Sequence, residues 1–223
     1  MSFLPQYIHI IKPKLKHIYL TFDEEGNLII KSPHISQERI EKLLLKKASW
    51  IQKARAKYQL KKGKSLNFQK ENKLYFLGKS YPLHLIHYKK KYTKLTFDGT
   101  MFTLYYETYN EALFQKHINT FYKKEASTYI PPIVREWAKN MHLRYNKISF
   151  RKTKRQWGSC SMENNLNFNT MMMKLPPEVI QYIVIHELAH IVHKHHQKSF
   201  WKLVQKYLPS YKQQIKELKN FIP

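Results

Sequence analysis

Residues 186–196 read His-Glu-Leu-Ala-His-Ile-Val-His-Lys-His-His, a concentration of side chains that can bind metal and move protons. His186 and His190 are four residues apart. On a helix both imidazoles therefore project from one face, one turn apart, where they can hold a single ion. Glu187 sits one residue on, so its carboxylate can reach a water activated by that ion without becoming a ligand. Zinc lowers the pKa of such a water toward neutrality, and a nearby carboxylate can take its proton. The pattern predicts zinc-dependent hydrolysis with Glu187 as general base. The plain alternative is a buried helix whose two histidines are hydrogen-bonded and carry no metal.

A catalytic zinc usually takes three protein ligands and leaves one position open. His193 fails as the third, because it lies seven residues from His186, roughly 10 Å along a continuing helix. His196 is the first choice: six residues past His190, it sits where a chain that leaves the helix returns a third histidine to the metal. His195 serves if the exit differs by one residue, and Glu217 serves if a later helix closes the site with a carboxylate.

These residues need a rigid support. Pro176-Pro177 predicts a helix start, since proline suits the first turn. Ile180, Ile183, Val184, Ile185, Leu188, Ile191 and Val192 make that helix apolar nearly all round, so it is expected to be buried. Two histidines and a glutamate in such a helix need partners, because unpaired burial is costly. Upstream, Lys147–Phe150 and Leu166–Met173 are expected as strands, with Arg155–Cys160 as a loop between them. Arg155 and Ser159 are candidates for stabilising an oxyanion or a phosphate. A salt bridge or solvated surface for Arg155, and a turn for Ser159, are the structural alternatives. Cys160 is expected as a packed loop cysteine, with a fourth-ligand or redox role as the alternative. Trp157 and Trp201 are expected as core aromatics, with Phe200-Trp201 packing the next helix against the metal helix.

The first half of the chain reads differently. Gln6–Ile11, His17–Asp23 and Leu28–Ile30 are expected as strands, with a turn at Glu24-Glu25-Gly26-Asn27. Ser36 is placed as a helix N-cap, flanked by Ile35 and Ile40 as a hydrophobic staple. Ile40, Leu43, Leu44, Ile51, Ala54 and Tyr58 then predict an amphipathic helix over 37–59. A basic linker, Lys61–Gln69, precedes four expected strands at 74–77, 81–88, 94–97 and 101–107. Residues 110–141 read as helical, with Pro131-Pro132 expected to break or kink the helix. The expected fold class is α+β. A β-rich N-terminal region with one long helix spans 1–108, and a mainly helical metal-dependent hydrolase domain with a small sheet spans 109–223.

Bulk composition bounds the rest. The chain has 223 residues, 43% of them hydrophobic, enough to build a sizeable core. There is no apolar run long enough for a membrane span and no apolar stretch of signal-peptide length at the start. With one cysteine, no intrachain disulfide can form, and a cytoplasmic location is expected. Lys and Arg number 40 against 15 acids, a formal charge of +25. This charge implies either a polyanionic partner, such as nucleic acid or a nucleotide, or a lysine-rich solvated surface. Lys194, Lys198, Lys202 and Lys206 recur every four residues and would form a basic stripe if that segment is helical. Oligomeric state is not legible.

The stretch from Arg155 to Pro209 resembles the YgjP-like metallopeptidase family. It carries Arg-Gln-Trp-Gly-Ser-Cys-Ser, then a strand, then Leu-Pro-Pro-Glu-Val-Ile-Gln-Tyr-Ile-Val-Ile-His-Glu-Leu-Ala-His, then His196 and Phe200-Trp201. Residues 19–58, with Pro33 and Ala48-Ser49-Trp50-Ile51, are similar to that family's leading segment, while 60–145 is generic. The resemblance implies a zincin-type fold acting on a protein or peptide, with His186, His190 and His196 as zinc ligands and Glu187 as base. It also implies that the strand before the active helix, here Leu166–Met173, forms an edge that holds extended substrate by strand addition. His193 stands where metzincins have a turn glycine, which the WLM and SprT-like groups also lack. A metal-dependent nucleotide phosphohydrolase and a DNA-associated protease or binding protein are the competing readings of the same metal motif and charge.

Overall fold

A computed structural model describes residues 5–23, 26–59, 68, 72–89 and 92–222. The protein has the α+β architecture and divides into two compact units, Met1–Ser65 and Leu66–Pro223. The linker Lys61–Gln69, apart from Phe68, lies outside the described residues, as do Glu24-Glu25 and the side chain of Tyr58.

In the first unit, β1 (Tyr7–Ile11), β2 (Tyr19–Phe22) and β3 (Leu28–Ser32) form a mixed sheet in the order β1-β3-β2. The β2–β3 reversal is held by Asp23, whose carboxylate accepts from the Asn27 backbone N–H (2.8 Å), while Gly26 takes a φ of 87°. Helix α1 (Gln37–Gln59) starts as expected, with Ser36 Oγ accepting from Arg39 N–H at 3.4 Å. Ile40, Leu44 and Ile51 bury one stripe of α1 in a core with Leu28 and Ile30, and Ile35 packs against that core.

In the second unit, β4 (Lys73–Phe76), β5 (Lys79–His87), β6 (Lys94–Phe97) and β7 (Phe102–Tyr106) form a mixed sheet in the order β4-β5-β7-β6. The compositional change near 108 is not where the compact units separate. Leu74, Leu83, Phe102 and Leu104 share one hydrophobic core with residues of the C-terminal half. The tip of the β4–β5 hairpin docks on the entry to the metal-motif helix. Leu77 and Gly78 N–H donate to the carbonyls of Met173 (2.8 Å) and Lys174 (3.2 Å). Gly78 has a φ of 81° there, and a Cβ on it would stand 2.9 Å from Pro176 Cα.

Helix α2 (Glu111–Asn140) is capped by Asn110, whose side chain accepts from Leu113 N–H at 3.0 Å. It runs through Pro131-Pro132 without the expected break. Its buried residues Phe114, Ile118, Tyr122, Ala126, Ile130, Val134 and Ala138 continue one stripe past both prolines, so packing holds the helix together. The carbonyls that lose a donor belong to Ser127 and Thr128, which are exposed and open to water.

The last sheet departs most from expectation. β8 (Ile148–Arg151), β9 (Gly158–Cys160) and β10 (Leu166–Asn169) pair in the order β8-β10-β9. The segment expected as a loop thus contains a short strand, β9, antiparallel to β10. β10 stops at Asn169, and Thr170–Lys174 turns into a 3-10 helix. Asn169 causes the stop: its buried side chain accepts from Met171 N–H and donates to Thr153 O, Thr153 Oγ1 and Gln156 O. β10 is therefore the central strand rather than the free edge, since β8 and β9 occupy both of its sides. Helix α3 (Pro177–Val192) follows, then α4 (Lys198–Tyr207) and α5 (Tyr211–Leu218).

Candidate metal centre

Helix α3 carries the motif and is buried as the sequence predicts, except at its exit, where Ile191 is half-buried and Val192 is exposed. Val179, Ile180, Tyr182–Ile185 and Glu187–Ala189 are all buried. This rigid core helix aims His186 and His190 in one direction. After Val192 the chain leaves the helix in an extended conformation at His193, with φ −126° and ψ 102°. No glycine is needed, because this exit stays outside the left-handed region.

The exit returns His196 to the helix. His196 Nε2 lies 3.1 Å from His186 Nε2 and 3.0 Å from His190 Nε2. Among the described residues, these three form the one group of side chains placed to share an ion. His195 turns elsewhere, its Nδ1 accepting from Gln197 N–H at 3.3 Å. Glu217 lies on α5 and accepts from the Asn220 amide at 2.9 Å. The sequence alternatives for a third ligand are therefore not brought to the pair.

Each imidazole is held from behind. His190 Nδ1 is 2.8 Å from the His193 carbonyl, which can only accept, so the ring proton sits on Nδ1 and leaves the Nε2 lone pair free. His186 Nδ1 is 3.3 Å from the Tyr182 hydroxyl, one turn earlier on the same helix. Phe200 packs against all three rings, with centroids 4.6–4.9 Å away. Trp201 Nε1 donates to His196 O at 3.0 Å, and the Trp201 ring stacks on Tyr211. Phe200-Trp201 thus pack α4 against the metal-motif helix, as expected.

Electrostatics favour neutral, metal-competent imidazoles. Burial, and then the neighbouring His190 and His196, push His186 down to about 3. Burial also lowers His190. Neutral imidazole is the form that ligates a metal. Three Nε2 atoms converging at this spacing fit one tetrahedral divalent cation with a fourth position open.

Glu187 lies beside them, buried, and its Oε2 has no hydrogen-bond partner among the described residues. Burial pushes its carboxyl up to about 8. An orphaned buried carboxylate is costly and is a mark of a site with a further ligand. The carboxylate lies directly against β9: a Cβ on Gly158 would come 2.6 Å from Oε1 and 2.7 Å from Cγ.

Other expected site residues fall outside this cluster. Arg155 is exposed and makes no hydrogen bond or ion pair to a described residue. Ser159 alternates with Gly158 and Cys160 along β9, so its side chain faces away from Glu187, across from Asn167. Cys160 is half-buried and outside the histidine group; burial raises its pKa, and its Sγ is 3.4 Å from Lys194 Nζ. Lys194 does not join a basic stripe. Its ammonium donates to Ser161 O (2.6 Å) and Asn164 Oδ1 (2.8 Å), tying the helix exit to the β9–β10 turn.

Sequence reasoning missed Tyr182, Gly158 and Lys194. Tyr182 had a signal, four residues before His186. Gly158 had only its rarity, as one of five glycines. Lys194 had none, since its acceptors are about 30 residues away.

Two imidazoles and a buried carboxylate on one core helix, with a third imidazole returned by the helix exit, define a candidate metallohydrolase centre. The family model of the YgjP-like metallopeptidase domain matches residues 16–221, and the chain belongs to that family. It is accordingly a metal-dependent peptidase, with a protein or peptide as substrate. No helix among the described residues is long and apolar enough to cross a membrane. No curated protein matches the chain. Two solved metallopeptidase zymogens are similar over part of it. Abylysin of Pyrococcus abyssi is 22% identical, covering 40% of this chain and 90% of its own, with a TM-score of 0.38. Jannalysin of Methanocaldococcus jannaschii is 23% identical, covering 39% and 93%, with a TM-score of 0.35.

Proposed function

We propose that the chain is a zinc metallopeptidase in which His186, His190 and His196 hold the ion and Glu187 is the general base. The observation that carries this reading is the convergence of three Nε2 atoms, 3.0 and 3.1 Å from His196 to its two neighbours. An all-imidazole donor set suits zinc better than magnesium, which favours oxygen ligands. The same point weighs against a nucleotide phosphohydrolase.

Zinc, when bound, supplies a Lewis acid that polarises the scissile carbonyl and acidifies a water. Glu187 takes the proton of the attacking water and delivers it to the leaving amine. Its raised pKa matches a group that must both accept and release a proton near neutral pH. Tyr182 and the His193 carbonyl orient His186 and His190 from behind.

β9 takes the substrate-binding role expected of the strand before α3. Trp157 O accepts from Asn169 N–H and Ser161 N–H donates to Asn165 O, so alternate residues of this segment face β10. By the same alternation, the N–H and C=O of Gly158 and Cys160 point to the outer edge. An extended peptide adding there lies beside Glu187, which touches Gly158.

The test is zinc content of the purified chain with parallel assays on casein and on nucleoside triphosphates. The expected result is proteolysis that chelation abolishes and zinc restores. Triphosphate hydrolysis without proteolysis would overturn the reading.

A further inference from the structure

A second feature lies on the far side of the catalytic sheet. Between α2 and β8 runs a groove of about 630 Å³, whose lining includes Lys116, Asn119, Lys123, Phe150, Arg151 and Lys152. β8 and the catalytic strand β9 lie on opposite sides of β10, so this groove is not part of the metal centre.

Its chemistry is one-sided. None of its lining residues is acidic. Lys116, Lys123, Arg151 and Lys152 are all exposed, and none is in an ion pair with a described residue. Four uncompensated cations around one groove repel one another, a cost that an anion removes. The neutral side chains point the same way. Asn119 Oδ1 already accepts from Gln115 Nε2 (3.0 Å) and Lys152 Nζ (3.2 Å), so Asn119 has only N–H groups left to offer a ligand.

The spacing suits a polymer. Lys116 and Lys123 are seven residues apart on α2, roughly 10 Å along its axis. That matches about three phosphates of a helical nucleic-acid strand, at ~3.4 Å of axis per phosphate. Arg151 offers a planar fork for a phosphate, and half-buried Phe150 offers an apolar surface to a base or sugar.

We propose that this groove binds the phosphodiester backbone of a nucleic acid, as a docking site separate from the peptidase centre. It stands independently of the zinc and mechanism assigned above. A carboxylate-rich peptide is the competing occupant, and Phe150 and the repeat of the cations favour the nucleic acid.

The test measures binding of a labelled single-stranded oligonucleotide by anisotropy over a salt series, using the full chain. Lys116→Gln/Lys123→Gln should weaken binding about tenfold and flatten the log–log salt slope by ~1.4, as expected for two lost phosphate contacts. Cleavage of a neutral peptide by this variant should be unchanged. Lys198→Gln/Lys202→Gln, on exposed positions of α4, should bind as the parent does. Equal losses in both variants, or an unchanged slope in the groove variant, would overturn the site. Competition by a polyglutamate peptide or by free nucleoside triphosphate as effective as that by unlabelled oligonucleotide would overturn the assigned ligand.

Discussion

The Glu187 carboxylate rests on the backbone of Gly158, so closely that a Cβ there would come 2.6 Å from Oε1. The two residues are 29 positions apart, on α3 and β9, and their contact joins the proposed base to the strand proposed to hold the substrate. Gly158→Ala should therefore displace the base while leaving the three histidines in place. We expect about a 10²-fold or greater fall in kcat/KM with zinc content unchanged, read by peptide hydrolysis and metal analysis of the same sample. Parent-level kcat/KM in this variant would show that the contact does not position the base.

Tyr182 supports His186 from behind at 3.3 Å. Tyr182→Phe keeps the ring and removes the hydroxyl. Zinc affinity should fall about tenfold, in the range seen when a ligand loses its outer partner, with the melting temperature of the chelated protein little changed. Competition with a zinc indicator dye measures this, and an unaltered affinity would remove Tyr182 from the site.

Burial raises Glu187 from 4.5 to about 8. A group whose folded pKa is raised contributes stability that is complete below its unfolded value and is lost as pH rises through the folded one. The chelated parent should thus lose stability relative to chelated Glu187→Gln as pH rises from about 4.5 toward about 8. Melting curves of both proteins across that window test it; a difference constant with pH would contradict the raised pKa.

Asn169 ends β10 and holds the Thr153–Gln156 segment that leads into β9. Asn169→Ala leaves the buried Met171 N–H and the half-buried Thr153 carbonyl without this partner and should cost about 2 kcal/mol. Urea denaturation should show a lower midpoint at constant slope. A change under ~0.5 kcal/mol would mean that water replaces the side chain without penalty.

What was legible in the sequence was the part set by local rules. The His186–His190 spacing, the Pro177 helix start, the buried face of α3 and the Ser36 cap each depend on residues within one or two turns of chain. His196 was reachable because helical rise excludes His193 and the six-residue spacing past His190 suits a chain that returns to the metal. The rest depended on distant partners. The segment Gly158–Cys160 is too short to show strand periodicity and becomes a strand only by pairing with β10. The strand end at Asn169 is set by acceptors 13–16 residues away. Pro131-Pro132 stay helical because Ile130 and Val134 are both buried. Domain division near 108 followed composition, which does not register that strands β4–β7 share the core of α2 and α3.

The central claim is that His186, His190 and His196 hold the metal while Glu187 works on the proton. Zinc stoichiometry and peptide turnover of Glu187→Gln, measured on one preparation, separate these roles most directly. The account predicts that zinc is retained at the parent's stoichiometry while turnover falls by about 10²–10⁴-fold. Parent-level turnover, or loss of zinc together with turnover, would contradict it.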